Sequence, residues 1–476
     1  MQLLSLIAER PFAWGVFAVY LIITSVLAYM GGKKTDTSEG FAIGSGDMNP
    51  WVAGLTLGAC LASSATFVIF PGFVYKEGLA ALIGFSLPLI AGLTLGLVVF
   101  SPQFQVIGAR YKALTIPHWL GARYESLELR RLFSGLNVLN VAYLVLITVG
   151  CGYVMRETLG ISYEASVIGI VAFVFAYTGF GGAWAHAFTN TAQGIIMLVM
   201  ALAIFGSGFE HWTSGAMFAD LATTGMVAPG SPLFGTIGEV WVVPFVMGVA
   251  LTTQPHLLTK ALYVKDRRTL WQTIAIAMLS FTVFCLVLFA GAYARLDLPA
   301  GIPQDQVMAR YLNQAFPWPW ASSLVAVAIL AAAMSTMDGL LVAISASVAN
   351  DLLPGRGSVR LNRLVLGVLA VVTIAISFKP PSVVLLLGQQ GVYGLVAAST
   401  GPLVAGLFLE QRLRGAGGVA AAITALAVHF GLILSGLVTN PGVAAGLALA
   451  VAVPVAVVAG RALAPLAPAP AQQPTT

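Results

Sequence analysis

The chain has 476 residues, 58% of them hydrophobic and only 9% charged, with a net charge of +5. A soluble domain carries roughly 25% charged residues to clothe a wet exterior, so a water-facing globular protein is excluded. The apolar residues fall in blocks of about 20, the length a helix needs to cross roughly 30 Å of hydrocarbon. Lipid cannot satisfy free backbone N–H and C=O groups, and the alternation of a β-barrel is absent. The fold expected is therefore all-α and integral to the membrane.

The first apolar block, Phe12 to Met30, is followed by Lys33 and Lys34, the reverse of a cleavable signal. It is expected to stay on the mature chain with the N-terminus outside. Hydropathy predicts about thirteen spans, at 12–31, 51–75, 79–103, 132–155, 161–180, 184–207, 237–258, 269–294, 318–350, 361–378, 382–408, 416–437 and 441–462. Threaded from an outside N-terminus, seventeen of the 23 Lys and Arg fall in inner loops. One missed span would invert every later loop and spoil that asymmetry. The basic excess is thus topological, which removes nucleic acid as a partner and leaves the lipid bilayer. The C-terminus is expected in the cytoplasm, with 1–462 a single transmembrane domain and 463–476 a low-complexity tail. The segment 104–131, with Pro117 and Trp119, predicts a short interfacial helix. The three cysteines, Cys60, Cys151 and Cys285, lie in apolar blocks and imply no disulfide framework.

Polar residues inside spans mark pathways or helix contacts. The second span clusters Ser63, Ser64 and Thr66 ahead of Pro71-Gly72. A helix interrupted this way can unwind and expose carbonyls where it lines a cavity. The pairs Gly54/Gly58 and Gly92/Gly96 are explained by close helix packing alone. The seventh span carries Thr252, Thr253, Gln254 and Pro255-His256, where proline removes a backbone donor and the amide offers both donor and acceptor. The ninth contains Ala332, then Ser335 and Thr336, then Asp338. Two hydroxyls and a carbonyl one turn earlier suit sodium, a hard cation that takes oxygen ligands. Asp338 reads equally as a proton or cation site and as a structural acceptor. The eleventh span places Gln389 and Gln390 between glycines, facing either polar cargo or another helix. The five histidines form no set, and no catalytic constellation appears, so the chain is not expected to be an enzyme.

These motifs together resemble the sodium/solute symporter family of bacterial proline, pantothenate and monocarboxylate symporters and sodium–glucose transporters. The landmarks are the Gly-Ala-x(3)-Ser stretch ending in Pro71-Gly72, Thr189-Asn190-Thr191-Ala192-Gln193-Gly194, Gln254-Pro255-His256, Met334-Ser335-Thr336-x-Asp338, and Gly401-Pro402 leading to Phe408. The resemblance implies a leucine-transporter-like core of two inverted five-helix repeats, about 51–207 and 237–408, each opening with a discontinuous helix. It implies a sodium site formed by the carbonyls of Ala59, Ala62 and Ala332 and the hydroxyls of Ser335 and Thr336. The solute would bind against Ser63, Ser64 and Phe67, facing Thr252, Thr253, Gln254 and Gln389. Asn190 replaces an aspartate that members with a second sodium site often use, so one sodium is expected. Met247 and Leu251 stand where proline-type members carry aromatic residues. The second span resembles the pantothenate/monocarboxylate branch, so the expectation is sodium-coupled uptake of a small organic anion at a bacterial inner membrane. A proton-coupled symporter using Asp338, an amino-acid or sugar symporter, and a solute sensor remain the alternatives.

Overall fold

The computed structural model describes residues 2–63, 65–353, 357–381, 387–409 and 413–462. The sequence-predicted tail at 463–476 lies outside them. Every element of regular structure among the described residues is helical. In chain order the principal helical rods are α1 (Pro11–Gly32), α2 (Pro50–Leu61), α3 (Ala65–Glu77), α4 (Leu79–Arg110), α5 (Leu127–Leu159), α6 (Tyr163–Gly206), α7 (Gly238–Leu251), α8 (Pro255–Leu262), α9 (Arg267–Asp297), α10 (Pro319–Leu352), α11 (Val359–Phe378), α12 (Val392–Phe408), α13 (Gly415–Leu434) and α14 (Pro441–Arg461). Nine of these are long and apolar enough to cross a membrane. That number becomes eleven when α2 with α3 and α7 with α8 are each counted as one bent span.

Burial sorts the rods into a centre and a rim. The most apolar stretch of α10 is 89% buried, whereas those of α1 and α11 are only 28% buried. α10 is therefore wrapped by protein, and the rim helices face lipid. Its low amphipathicity follows, since a helix enclosed on all sides needs no polar face. α2 packs against α6, α9 and α10.

The predicted glycine pairs are packing devices. A Cβ on Gly54 or Gly58 would sit 2.7 to 3.0 Å from atoms of α9, at Ile276, Ala277 and Ser280, and one on Gly92 would sit 2.1 Å from the carbonyl of Phe245. Bare glycine lets these backbones touch.

α6 runs 44 residues but turns at Gly182, whose φ of 49° and ψ of −135° suit glycine alone. The sequence reading ended one span at 180 and began the next at 184, and the break falls between. A Cβ there would lie 2.5 Å from the carbonyl of Phe41. Gly182→Ala is expected to cost about 1–3 kcal/mol from backbone strain, plus that clash. A lowered thermal midpoint in detergent checks it.

At the basic end, the predicted interfacial segment forms a helix at Ile116–Arg123, capped by Thr115, whose hydroxyl accepts from the His118 amide. It is pinned to the end of α10. Arg130 donates from Nε to Asp351 Oδ1 at 2.8 Å and from a second nitrogen to the Asn350 carbonyl at 2.8 Å, while Thr115 donates to Asp351 Oδ2.

Candidate functional site

Two helix breaks meet the central rod. α2 starts sharply, because Pro50 fills the first position and the Asn49 side chain accepts from the Trp51 amide at 2.9 Å. It stops at Leu61, and Ala62 takes φ −91° and ψ 110°, turning its carbonyl out of the helical direction. Ser63 supplies local substitutes for the lost ladder: its hydroxyl accepts from the Ala65 amide and its carbonyl from the Thr66 amide. The chain resumes as α3 after a bend of 55°.

α7 ends in the same manner. The Thr252 and Thr253 hydroxyls donate back to the Val249 and Ala250 carbonyls, both at 2.7 Å. Gln254 then extends to ψ 141°, as the residue before a proline is driven to do. α8 follows at 63° to α7.

Facing the first break, the Ser335 hydroxyl lies 3.1 Å from the Ala59 carbonyl and 2.9 Å from that of Ala332. Thr336 Oγ1 lies 3.4 Å from the same Ala332 carbonyl. One hydroxyl has a single proton, so it cannot satisfy both carbonyls fully. Neutral oxygens clustered this way, all buried, fit a hard cation. Four of the five sequence-predicted cation ligands thus come together. The fifth, Ala62, is buried beside them at the helix end.

The sequence-predicted solute residues are less tightly gathered. Ser63 flanks the break, with Tyr143 within hydrogen-bonding reach of it and Tyr393 nearby. Phe67 is fully buried, its ring 6.2 Å from that of Phe284. Thr253 and Gln254 face α12: Thr253 lies 3.3 Å from Ser399 Oγ and 3.1 Å from Thr400 Oγ1, and Gln254 donates to Ser399 at 3.3 Å. Thr252 turns instead toward Gly96 on α4. Ser64 lies outside the described residues, as does the side chain of Gln389. Gln390 offers its carbonyl to His429 at 3.1 Å.

Behind the cation cluster stands a polar network that sequence reasoning missed. Asp338, fully buried, has Nδ1 of His186 2.8 Å from one oxygen, and its other oxygen accepts from Tyr177 at 2.9 Å and Thr189 at 3.3 Å. His186 thus has a buried acidic partner that the sequence reading did not assign to it. Its partner lies 152 residues away, which no local pattern reveals, although His186 and Thr189 do share a helix face. Asn190 donates to the Ser335 carbonyl at 3.1 Å and to Cys60 Sγ at 3.3 Å. Gln193 donates to Tyr20, which donates to the Met334 sulfur. The network fastens α1, α2 and α6 to α10 around the oxygens that face the break.

Comparison with known proteins decides what kind of protein carries this arrangement. The model of the Sodium:solute symporter family matches residues 41–425. The chain belongs to that family. It is a membrane-embedded, sodium-coupled solute symporter and not an enzyme. Among similar proteins, the sodium/pantothenate symporter of Escherichia coli (strain K12) is 28% identical over 421 residues, covering 82% of this chain and 84% of the relative. A sodium/proline symporter of Staphylococcus aureus is 25% identical over 437 residues, 86% of this chain and 83% of the relative. This symporter also shares its fold with a solved Na+-coupled sialic acid symporter, at a TM-score of 0.79 and 19% identity, covering 95% of this chain and 98% of the other.

Proposed function

We propose that the protein brings one sodium ion and one small organic anion, a monocarboxylate or pantothenate, into the cell by alternating access. The observation that carries this reading is the Ser335 hydroxyl set between the Ala59 and Ala332 carbonyls at the α2 break. Sodium is cargo there, held by the carbonyls of Ala59, Ala62 and Ala332 and the hydroxyls of Ser335 and Thr336. Its arrival braces the broken helix against α10 and favours the outward-open state that takes solute. The solute sits against Ser63, Ser64 and Phe67, with Thr252, Thr253, Gln254 and Gln389 opposite. One sodium and one monovalent anion carry no net charge between them, so the sodium concentration gradient drives the cycle, and each tenfold gradient, about 1.4 kcal/mol, supports about tenfold accumulation.

The anion is supported by the relative described as a sodium/pantothenate symporter. It would be held by hydroxyls, amides and the N-terminal ends of the broken helices, which favour negative charge. One sodium is supported by the neutral side chain of Asn190, which stands where members with a second sodium site often carry an aspartate, and whose nitrogen donates to Ser335 and Cys60. Asp338 is read as scaffold, because its two oxygens already meet three protein partners.

The architecture that goes with this reading has thirteen crossings. α6 counts twice, as 44 residues at about 1.5 Å each span roughly two bilayer thicknesses. Each bent pair counts once, and α12 counts with the turn before it. Residues 1–462 form one domain with halves 51–207 and 237–408, each opening on a broken helix. The N-terminus faces outward and the basic loops face the cytoplasm of a bacterial cell.

Purified protein in liposomes with an inward sodium gradient tests the reading. Labelled pantothenate and lactate should accumulate, with hyperbolic dependence on sodium, and proline and glucose should not. Uptake driven by a pH gradient without sodium would instead install the proton-coupled alternative.

A further inference from the structure

Lys260 sits at the basic end of the bundle, in the helical turn that follows Pro255, and is 1% exposed. Among the described residues no carboxylate lies within ion-pairing distance of it. Its ammonium makes one hydrogen bond, to the carbonyl of His256 at 2.5 Å, and stands 5.6 Å from the centre of the Tyr263 ring. An ammonium has three N–H donors, so two are left without a protein acceptor among the described residues. The other titratable groups close enough to feel its charge are His256 and His186, the latter paired with Asp338.

The same lysine lines a narrow cavity with Thr115, Asn137, Thr259, Gly339 and Ala343, which has room for about one water. Gly339 lies one helical turn along α10 from Ser335. The cavity is therefore walled by α10 from within about one helical turn of Ser335 and by Ile116 and Pro117 of the interfacial helix. A buried ammonium lacking a counter-ion is costly, and capping one carbonyl could be done by a neutral group. The expense is explained where an anion visits.

We propose that Lys260 is a transient docking point for the carboxylate of the solute on its way from the central site to the cytoplasm. The proposal rests on reading the solute as an organic anion and the basic end as cytoplasmic. In the inward-open state the cavity widens, and the two free N–H donors receive the carboxylate through charge-assisted hydrogen bonds. The site is passed through, so it must bind weakly enough to release.

Sided membrane vesicles carrying the full chain test this with pantothenate as the probe and panthenol, its alcohol analogue, as the uncharged control. For Lys260→Met the half-saturation for pantothenate at the cytoplasmic face is expected to rise about tenfold, the scale of one charge-assisted hydrogen bond. The value at the outer face should stay unchanged, and Lys260→Arg should restore the cytoplasmic value. Lys260→Gln gives the same comparison where Lys260→Met fails to fold. Equal shifts at both faces, or a cytoplasmic shift that arginine does not rescue, would mark Lys260 as structural and overturn the proposal. Wild-type behaviour of the variant at both faces overturns it while leaving the anion reading intact. Transport of panthenol by the wild type without pantothenate or lactate would overturn both.

Discussion

Ser335→Ala is expected to raise the sodium half-saturation constant for uptake by about ten- to a hundredfold, with solute affinity at saturating sodium changed far less. Among the described residues, the serine hydroxyl is the single group that reaches both the Ala59 carbonyl and the Ala332 carbonyl. Removing it takes one oxygen from the proposed cation site and also removes one of the hydrogen bonds that join α2 to α10. A bond to a charged partner contributes about 1.5–3 kcal/mol, which is the fold-change given. Thr336→Ala should act in the same direction and more weakly, because its oxygen sits farther from Ala332, at 3.4 Å. Initial uptake rates measured across a sodium titration check both. Sodium dependence equal to wild type in both variants removes the assigned site.

Asp338→Ala is expected to abolish transport and lower the thermal midpoint by several degrees. Its carboxylate meets His186, Tyr177 and Thr189 in a site with no access to water. Truncation leaves those donors unpartnered between α6 and α10. Removing one member of a buried pair costs about 3–5 kcal/mol, a large share of the stability of most folds. Asp338→Asn keeps an acceptor and the side-chain shape, so it should retain the fold and measurable sodium-driven uptake. Thermal unfolding in detergent, read beside uptake, separates the outcomes. A stable Asp338→Asn protein whose uptake has lost only a dependence on pH would mean that the carboxylate carries protons and is not scaffold.

The sequence showed the membrane, the order of the spans and the places where helices fail, because these follow from local composition. Small and hydroxyl residues at 58–66 and Gln254-Pro255 carry their own reasons for breaking a helix. The grouping of Ala332, Ser335 and Thr336 was legible from their spacing on one helix, but the addition of Ala59 to them only through resemblance, since nothing local says that residues 276 positions apart should touch. The direction of Thr252 was not legible at all. Three consecutive polar residues at a helix end point three ways, and only the packing against Gly96 shows that Thr252 turns from the other two. The His186–Asp338 pair escaped for the same reason. A buried histidine and a buried aspartate each look isolated until the fold sets their helices side by side.

Binding of radioactive sodium to the purified protein in detergent, without solute, tests the central claim most directly. Wild type should bind one ion per chain saturably, Ser335→Ala should bind it far more weakly, and a Ser335→Ala/Thr336→Ala double variant that still folds should bind none. Undiminished binding in the folded double variant would show that the coupling ion rests somewhere other than between α2 and α10.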